Sequence, residues 1–154
     1  MPPSAPMDDY AFALANRLLG NPADAAGMEC TLVGAKIRFQ ADTHIVLTGA
    51  DLNATLDGQA IKSWQSIAVR AGQILDMGRM TVGCRAYLAV AGGFDVPAYL
   101  GIRSTVALGQ FGGHGGRPIR TGDLLPLGVS TATAPMASIP AELCCSLDKE
   151  CHDM

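Results

Sequence analysis

Residues 111–117 read FGGHGGR, so four glycines surround one histidine and the segment closes on an arginine. Glycine lets a backbone approach a ligand closely, His114 can exchange a proton near neutral pH, and Arg117 carries a fixed charge. Four interpretations suit this composition: a phosphate-binding loop, a metal site, a catalytic loop, or a glycine-rich turn without chemistry.

Neither kind of phosphate-binding loop agrees with the rest of the sequence. A nucleotide P-loop needs a lysine after its last glycine, and the three lysines of the chain lie elsewhere, at Lys36, Lys62 and Lys149. A dinucleotide-binding loop needs a third glycine where this chain has Pro118. The segment therefore remains either a place of close backbone approach or a plain turn.

Cysteine and histidine spacing does not predict a metal site. The three histidines, His44, His114 and His152, are too few and too dispersed for a zinc hydrolase. The tail CCSLDKECHDM fits no zinc pattern, and five cysteines make a poor disulfide framework. Cys30 and Cys84 lie in strand-like apolar runs, which predict buried free thiols.

Length and composition predict one globular domain. The chain has 154 residues, of which 49% are hydrophobic and 16% charged, enough to build a core. The net charge is −3 and the basic residues are scattered, which argues against binding to nucleic acid or to an anionic membrane. No targeting or membrane-spanning segment is visible, so we expect a cytoplasmic location.

The elements that position the glycine segment are predicted to be mainly β. One helix is expected near residues 8–19, with Asp8 as its N-cap and Gly20 at its C-terminal end. Short β-branched runs follow from residue 30, and Asp57-Gly58 is a hairpin turn signal. This pattern favours a β-barrel or sandwich, whereas residues 129–154 indicate a linker or disordered tail.

Residues 85–125, RAYLAVAGGFDVPAYLGIRSTVALGQFGGHGGRPIRTGDLL, resemble a known family. The similarity is to the carboxyltransferase domain of biotin-dependent urea carboxylase, a family that includes allophanate hydrolase subunit 2 and a 5-oxoprolinase subunit. PPSAPMDDYAFALANRLLGN and LTGADLNATLDGQ resemble two further motifs of that family, in the same order. The resemblance extends from about residue 2 to residue 127.

The resemblance implies a cyclophilin-like β-barrel subdomain with one N-terminal helix, over residues 1–128. It implies transfer of a carboxyl group from carboxybiotin to urea or a related amide, with biotin carried on another domain or chain and ATP used elsewhere. The implied partners are a second carboxyltransferase half, a biotin carboxylase and a biotin carrier, with self-association also open.

The site residues come from the matching motifs. His114 is the implied catalytic group, as hydrogen-bond donor or proton shuttle. The implied substrate-binding residues are Arg103, Ser104, Thr105, Gly112, Gly113 and Asp51. Asp51 has an alternative role in an Asx turn that ends a strand, and capping of the helix suffices to explain Asp8. Arg85 is expected on a strand surface.

Departures from the family in coverage and at two positions bear on activity. The match covers only the first half of the family's domain and lacks its opening strand, and Ala5 and Ile102 stand where the family usually has glycine and serine. We therefore expect the chain to be inactive alone. The alternative is a truncated, non-catalytic copy, acting as a partner-binding domain or as a regulatory protein that resembles the 5-oxoprolinase relative.

Overall fold

The computed structural model describes residue 6 and residues 8–96 and 119–129. Within this part of the chain there are one α-helix and eight β-strands. In chain order they are α1 (Asp9–Leu18), β1 (Met28–Thr31), β2 (Lys36–Arg38), β3 (Thr43–Leu52), β4 (Thr55–Leu56), β5 (Gln59–Ala60), β6 (Ile67–Val69), β7 (Ile74–Asp76) and β8 (Met80–Val90).

Local sequence signals set both ends of the helix. The Asp8 side chain accepts a hydrogen bond from the backbone N–H of Ala11 at 3.0 Å, which satisfies one of the unpaired donors of the first turn. Leu19 is the C-cap, and Gly20 follows with a φ of 72°, a conformation that glycine adopts without strain. The predicted helix and both of its end signals are confirmed.

The strands form two antiparallel sheets of four strands each. The first has the order β1-β8-β3-β6 and the second the order β2-β7-β4-β5. The hairpin predicted at Asp57-Gly58 is confirmed: it joins β4 to β5, and both turn residues have positive φ, as a two-residue turn that matches strand twist requires. The mainly β prediction is confirmed at this level, and closure into a cyclophilin-like barrel stays a prediction.

The first sheet is the middle of three layers. One of its faces packs against the second sheet through a large apolar cluster that includes Ile45, Leu75 and Leu88. The other face packs against α1 through two smaller clusters. As a result the second half of β8, from Ala86 to Val90, is buried on both faces, although its side chains alternate in direction as the sequence predicts.

The two sheets join at a region that we call the glycine corner, made of residues 32–34, 49–53 and 78–84. Here β1 runs on to β2, β3 to β4 and β7 to β8. The segments are bonded to one another through their backbones: Gly34 N–H donates to Gly78 O at 2.8 Å, and Met80 N–H donates to Leu32 O at 3.1 Å. A Cβ on Gly78 would lie 3.0 Å from Asn53 O, so this packing requires glycine.

Two further observations concern the described residues. Cys30 is buried, and its burial raises the pKa of its thiol. Cys84 is exposed, so its prediction as a buried thiol is wrong: it lies in the first half of β8, which is largely accessible at the glycine corner. No helix in the described part of the chain is long and apolar enough to cross a membrane.

Candidate functional site

Asp51 lies at the glycine corner and is exposed to solvent. It is the penultimate residue of β3 and pairs with Val82 of β8. Its backbone carbonyl accepts a hydrogen bond from Thr81 Oγ1 at 3.4 Å, whereas its carboxylate bonds no residue that the structure describes. The carboxylate is therefore open to a ligand, and it does not form the Asx turn that we considered from the sequence.

Two glycines hold Asp51 in this position. Gly49 has a φ of 88°, and a Cβ there would lie 2.5 Å from Arg85 O; Gly83 has a φ of 87°, and its Cβ would lie 2.9 Å from the Cβ of Ala50. The register shifts between them, because Gly49 pairs with Ala86 whereas Asp51 pairs with Val82. This irregularity allows β3 and β8 to cross closely before Asp51.

Thr48, three residues before Asp51 in the chain, has a structural role. It is fully buried, and its Oγ1 donates a hydrogen bond to the carbonyl oxygen of Ala11 at 2.8 Å. This bond fastens α1 to the middle of the first sheet. The motif Thr48-Gly49-Ala50-Asp51 thus combines a residue that bonds the helix, a glycine at which β3 passes close to β8, and one exposed carboxylate.

Asp8 caps the helix and also joins it to β8. Its backbone N–H donates to the Tyr87 hydroxyl at 2.8 Å, and the Tyr87 ring packs edge-on against Phe12, with centroids 5.9 Å apart. Burial raises the pKa of Tyr87, and the nearby Glu29 carboxylate raises it further. The capping prediction for Asp8 is confirmed, and the hydroxyl of Tyr87 holds the start of α1 in place.

Arg85 lies on the strand surface as predicted. Its Nη1 bonds the Glu29 carboxylate at 2.8 Å and Thr31 Oγ1 at 3.1 Å, across the β1–β8 pair. The Arg85 side chain is about one-third exposed. An ion pair at this exposure contributes little stability, so its main effect is to order the edge of the sheet.

A buried polar network at the other end of β8 was not predicted from the sequence. Asn16 donates to Ala25 O at 2.9 Å. Asn21 donates to Val90 O at 2.7 Å and accepts from Gly92 N–H at 2.8 Å. Two asparagines at the end of a helix were the only signal in the sequence, and their buried partners lie up to 71 residues away.

The other predicted site residues lie outside the described residues: Arg103, Ser104, Thr105, Gly112, Gly113 and His114. Their position relative to Asp51 stays a prediction. Within the described ranges, no group of three or more His, Cys, Asp or Glu residues could hold a metal ion.

A depression of about 290 Å³ lies on the second sheet. It is lined by Lys36, Thr55, Asp57, Gly58, Ile74 and Asp76. The charges of Lys36 and Asp76 face each other at 3.8 Å, and the Asp57 carboxylate accepts the backbone N–H of Ile74 at 2.9 Å. Its charged groups are therefore already partnered, which makes it a weaker candidate than the Asp51 surface.

The chain is similar to known proteins in both sequence and structure. The family described as "Carboxyltransferase domain, subdomain A and B" matches residues 1–151. The chain is 44% identical over 143 residues to the urea amidolyase of Saccharomyces cerevisiae. It is 42% identical over 124 residues to a 5-oxoprolinase subunit of Escherichia coli. The crystal structure of the K. lactis urea amidolyase superposes with a TM-score of 0.85 at 44% identity.

These matches cover most of this chain and a small part of each relative. The match to the S. cerevisiae urea amidolyase spans 93% of this chain and 8% of that protein. The match to the E. coli 5-oxoprolinase subunit spans 80% of this chain and 40% of that protein. The superposition on the K. lactis structure covers 93% of this chain and 9% of the larger protein.

Proposed function

The chain belongs to the carboxyltransferase domain family, and from that membership we propose that it is part of a biotin-dependent carboxyltransferase. The reaction would move a carboxyl group to urea or a related amide. The observation that carries the proposal is the family match over residues 1–151 combined with 44% identity to a urea amidolyase.

Other domains or chains would complete the reaction. Carboxybiotin, carried on another domain or chain, would supply the carboxyl group that is transferred to the acceptor nitrogen. ATP would be used elsewhere in the complex, by a biotin carboxylase. The expected partners are this carboxylase, a biotin carrier and the second carboxyltransferase half, so we expect no carboxyl transfer from this chain alone.

Asp51 fits the acceptor side of such a site. A carboxylate accepts hydrogen bonds only, and urea-type acceptors present N–H donors. The Asp51 carboxylate is exposed and bonds no described residue. The close packing of β3 on β8 at Gly49 and Gly83 positions the Asp51 backbone. It would orient the acceptor nitrogen, and orientation of this kind lowers the barrier of a transfer between two bound reactants.

The remaining residues would act on the transferred group. Arg103 would pair with the oxygens of the carboxyl group through its planar guanidinium, with Ser104 and Thr105 as further hydrogen-bond donors. Gly112 and Gly113 would bring backbone N–H groups close to a planar ring. His114 would donate a hydrogen bond or move a proton at the acceptor nitrogen.

A second candidate function has its own supporting observation. The identity of 42% to a 5-oxoprolinase subunit favours a partner-binding or regulatory protein of that kind, which would not carry out carboxyl transfer. The two candidates differ in acceptor and in partners, and therefore one chimeric protein can distinguish them.

The experiment replaces the matched segment of the S. cerevisiae urea amidolyase with this chain. We expect the chimera to show ATP turnover that depends on bicarbonate and urea. Asp51→Asn should lower kcat/KM on the order of 10-fold to 100-fold through lost orientation. Asp24→Asn is the matched control, because Asp24 is also exposed but follows α1 near the opposite end of β8.

The outcomes separate the candidates. Urea-independent turnover in a folded chimera would contradict the carboxyltransferase proposal and favour the second candidate. Equal kcat/KM for Asp51→Asn and Asp24→Asn, with urea-dependent turnover intact, would remove Asp51 from the site and leave the function in place.

A further inference from the structure

Two large apolar side chains project from the glycine corner into solvent. Leu32 is 60% exposed and Val33 is 53% exposed, and the two follow each other in the chain. Single exposed apolar residues are common on protein surfaces, and Tyr10 on α1, at 54%, is an example. Leu32 and Val33 differ from Tyr10 because they are two exposed apolar residues in succession, and exposed apolar surface that is not isolated can mark an interaction site.

The backbone beneath this pair is fixed from both sides. Leu32 N–H donates to Cys84 O at 2.9 Å, and Leu32 O accepts from Met80 N–H at 3.1 Å. Val33 forms an antiparallel bridge with Arg79. The segment is thus bonded at successive residues to β8 and to the turn before it, so the two side chains start from a fixed position.

Leu32 also has an unfavourable conformation. Its φ is 64°, in the left-handed region that a leucine adopts only at an energetic cost. Glycine would satisfy the same backbone bonds without that cost. A strained leucine whose side chain is mostly in water contributes little to the folded chain itself, and strain of this kind is concentrated at functional surfaces.

We propose that Leu32 and Val33 form the docking surface for the remainder of the carboxyltransferase domain, the part of the relatives that the match to this chain leaves out. The match covers only 40% of the E. coli 5-oxoprolinase subunit, and the family description names two subdomains. The buried centre of a protein interface is more apolar than its rim, and two exposed apolar side chains suit that position. This inference rests on the proposed function, because it takes the partner from the same assembly.

The location of Leu32 and Val33 beside β8 places the proposed docking surface near Asp51. Asp51 and the Leu32–Val33 pair flank the same first half of β8, Asp51 opposite Val82 and Leu32 opposite Cys84. A domain seated on the apolar pair would therefore also border the Asp51 carboxylate. The site would then lie between two halves, a common location for binding sites.

Cys84 provides a direct probe, since it is exposed and its carbonyl bonds Leu32. The rate of iodoacetamide alkylation at Cys84 is measured by peptide mass spectrometry in the isolated chain and in the urea amidolyase chimera described above. We expect alkylation to be at least tenfold slower in the chimera. A cysteine introduced by Asp24→Cys, near the other end of β8, should react at similar rates in both.

Two variants test the side chains themselves. Leu32→Gly with Val33→Ser in the chimera should return Cys84 alkylation toward the rate of the isolated chain, while Tyr10→Ser should leave it slow. In the isolated chain, Leu32→Gly alone should leave the urea midpoint of unfolding unchanged or raise it, because strain is removed and little burial is lost. A clear fall of that midpoint would assign Leu32 to the fold and overturn the proposal.

The remaining outcomes are distinct from those of the proposed function. Equal Cys84 rates in the chimera and the isolated chain, with urea-dependent turnover present, would overturn the docking surface alone. Slow alkylation without turnover would support the surface and contradict the function. If Cys84 alkylation in the isolated chain slows as the protein concentration rises, a second copy of this chain occupies the surface. That result would overturn the proposed partner.

Discussion

The two halves of β8 belong to one strand but differ in burial and in packing. The second half, from Ala86 to Val90, is buried on both faces between α1 and the second sheet. The first half, from Met80 to Arg85, is mostly accessible and contains Gly83, where a side chain would collide with Ala50.

This difference separates two uses of the same family motifs. Around the second half, polar groups form hydrogen bonds between elements of the fold. Thr48 bonds α1, the Tyr87 hydroxyl accepts the Asp8 N–H, and Asn21 bonds Val90. Around the first half, Asp51 is left exposed and Leu32 is held in a strained conformation. Motif residues at the buried end build the domain, whereas Asp51, at the glycine corner, is left exposed to solvent.

The largest expected effect is at the buried end. Tyr87→Ala removes a fully buried ring that packs on Phe12 and Trp64 and leaves the Asp8 N–H without its acceptor. We expect the free energy of unfolding to fall by about 3–5 kcal/mol, measured by urea denaturation. Cys84→Ala, in the exposed half of the same strand, should change it by less than about 0.5 kcal/mol. Equal costs at the two positions would remove the contrast between the halves.

The second prediction sharpens the boundary between the halves. Gly49→Ala places a Cβ 2.5 Å from Arg85 O in a backbone with positive φ, which should cost about 2–4 kcal/mol through strain and overpacking. Gly58 has a similar φ, but nothing lies within 4 Å of an added Cβ. Gly58→Ala should therefore cost only about 1 kcal/mol. Similar urea midpoints for the two variants would show that the close crossing of β3 and β8 is not required.

The smallest expected effect concerns pH. Burial raises the pKa of Tyr87 above its ordinary value of 10.0 and that of Cys30 above 9.0. The unfolded chain then loses these protons first, so stability is full below pH 9 and decreases as pH rises through this range. At pH 10.5 we expect a loss of about 1 kcal/mol from Tyr87, and Tyr87→Phe should flatten the decrease. A free energy of unfolding that is constant from pH 8 to 10.5 would contradict the burial of these groups.

Local signals explain which parts of the fold could be predicted from sequence. The Asp8 cap, Gly20 and the Asp57-Gly58 turn each depend on neighbours within four residues, and all three are confirmed. The hydrogen bond between the Tyr87 hydroxyl and Asp8 joins residues that are 79 positions apart, so no local sequence pattern predicts it. The prediction that Cys84 is buried was wrong, because an apolar run does not reveal which part of a strand other elements pack against.

The candidate site was predictable only in part and for the same reason. The sequence selects Asp51 through a motif, but its exposure depends on a register shift between β3 and β8, which arises from the crossing at Gly49 and Gly83. Leu32 carries no signal in the sequence, because its φ of 64° follows from backbone bonds to Cys84 and Met80. The roles of Arg103, Ser104, Thr105, Gly112, Gly113 and His114 remain predictions.

The position of β8 also determines when the domain can form during synthesis. β8 is the last of the described strands in the chain, yet it is central in the first sheet and pairs with both β1 and β3. A nascent chain therefore cannot assemble that sheet until residue 90 has left the ribosome, and until then the apolar faces of β1, β3 and α1 lack their partner. Exposed surface of this kind makes a growing chain prone to aggregation, so we expect the risk of aggregation to be highest between the synthesis of β1 and that of β8.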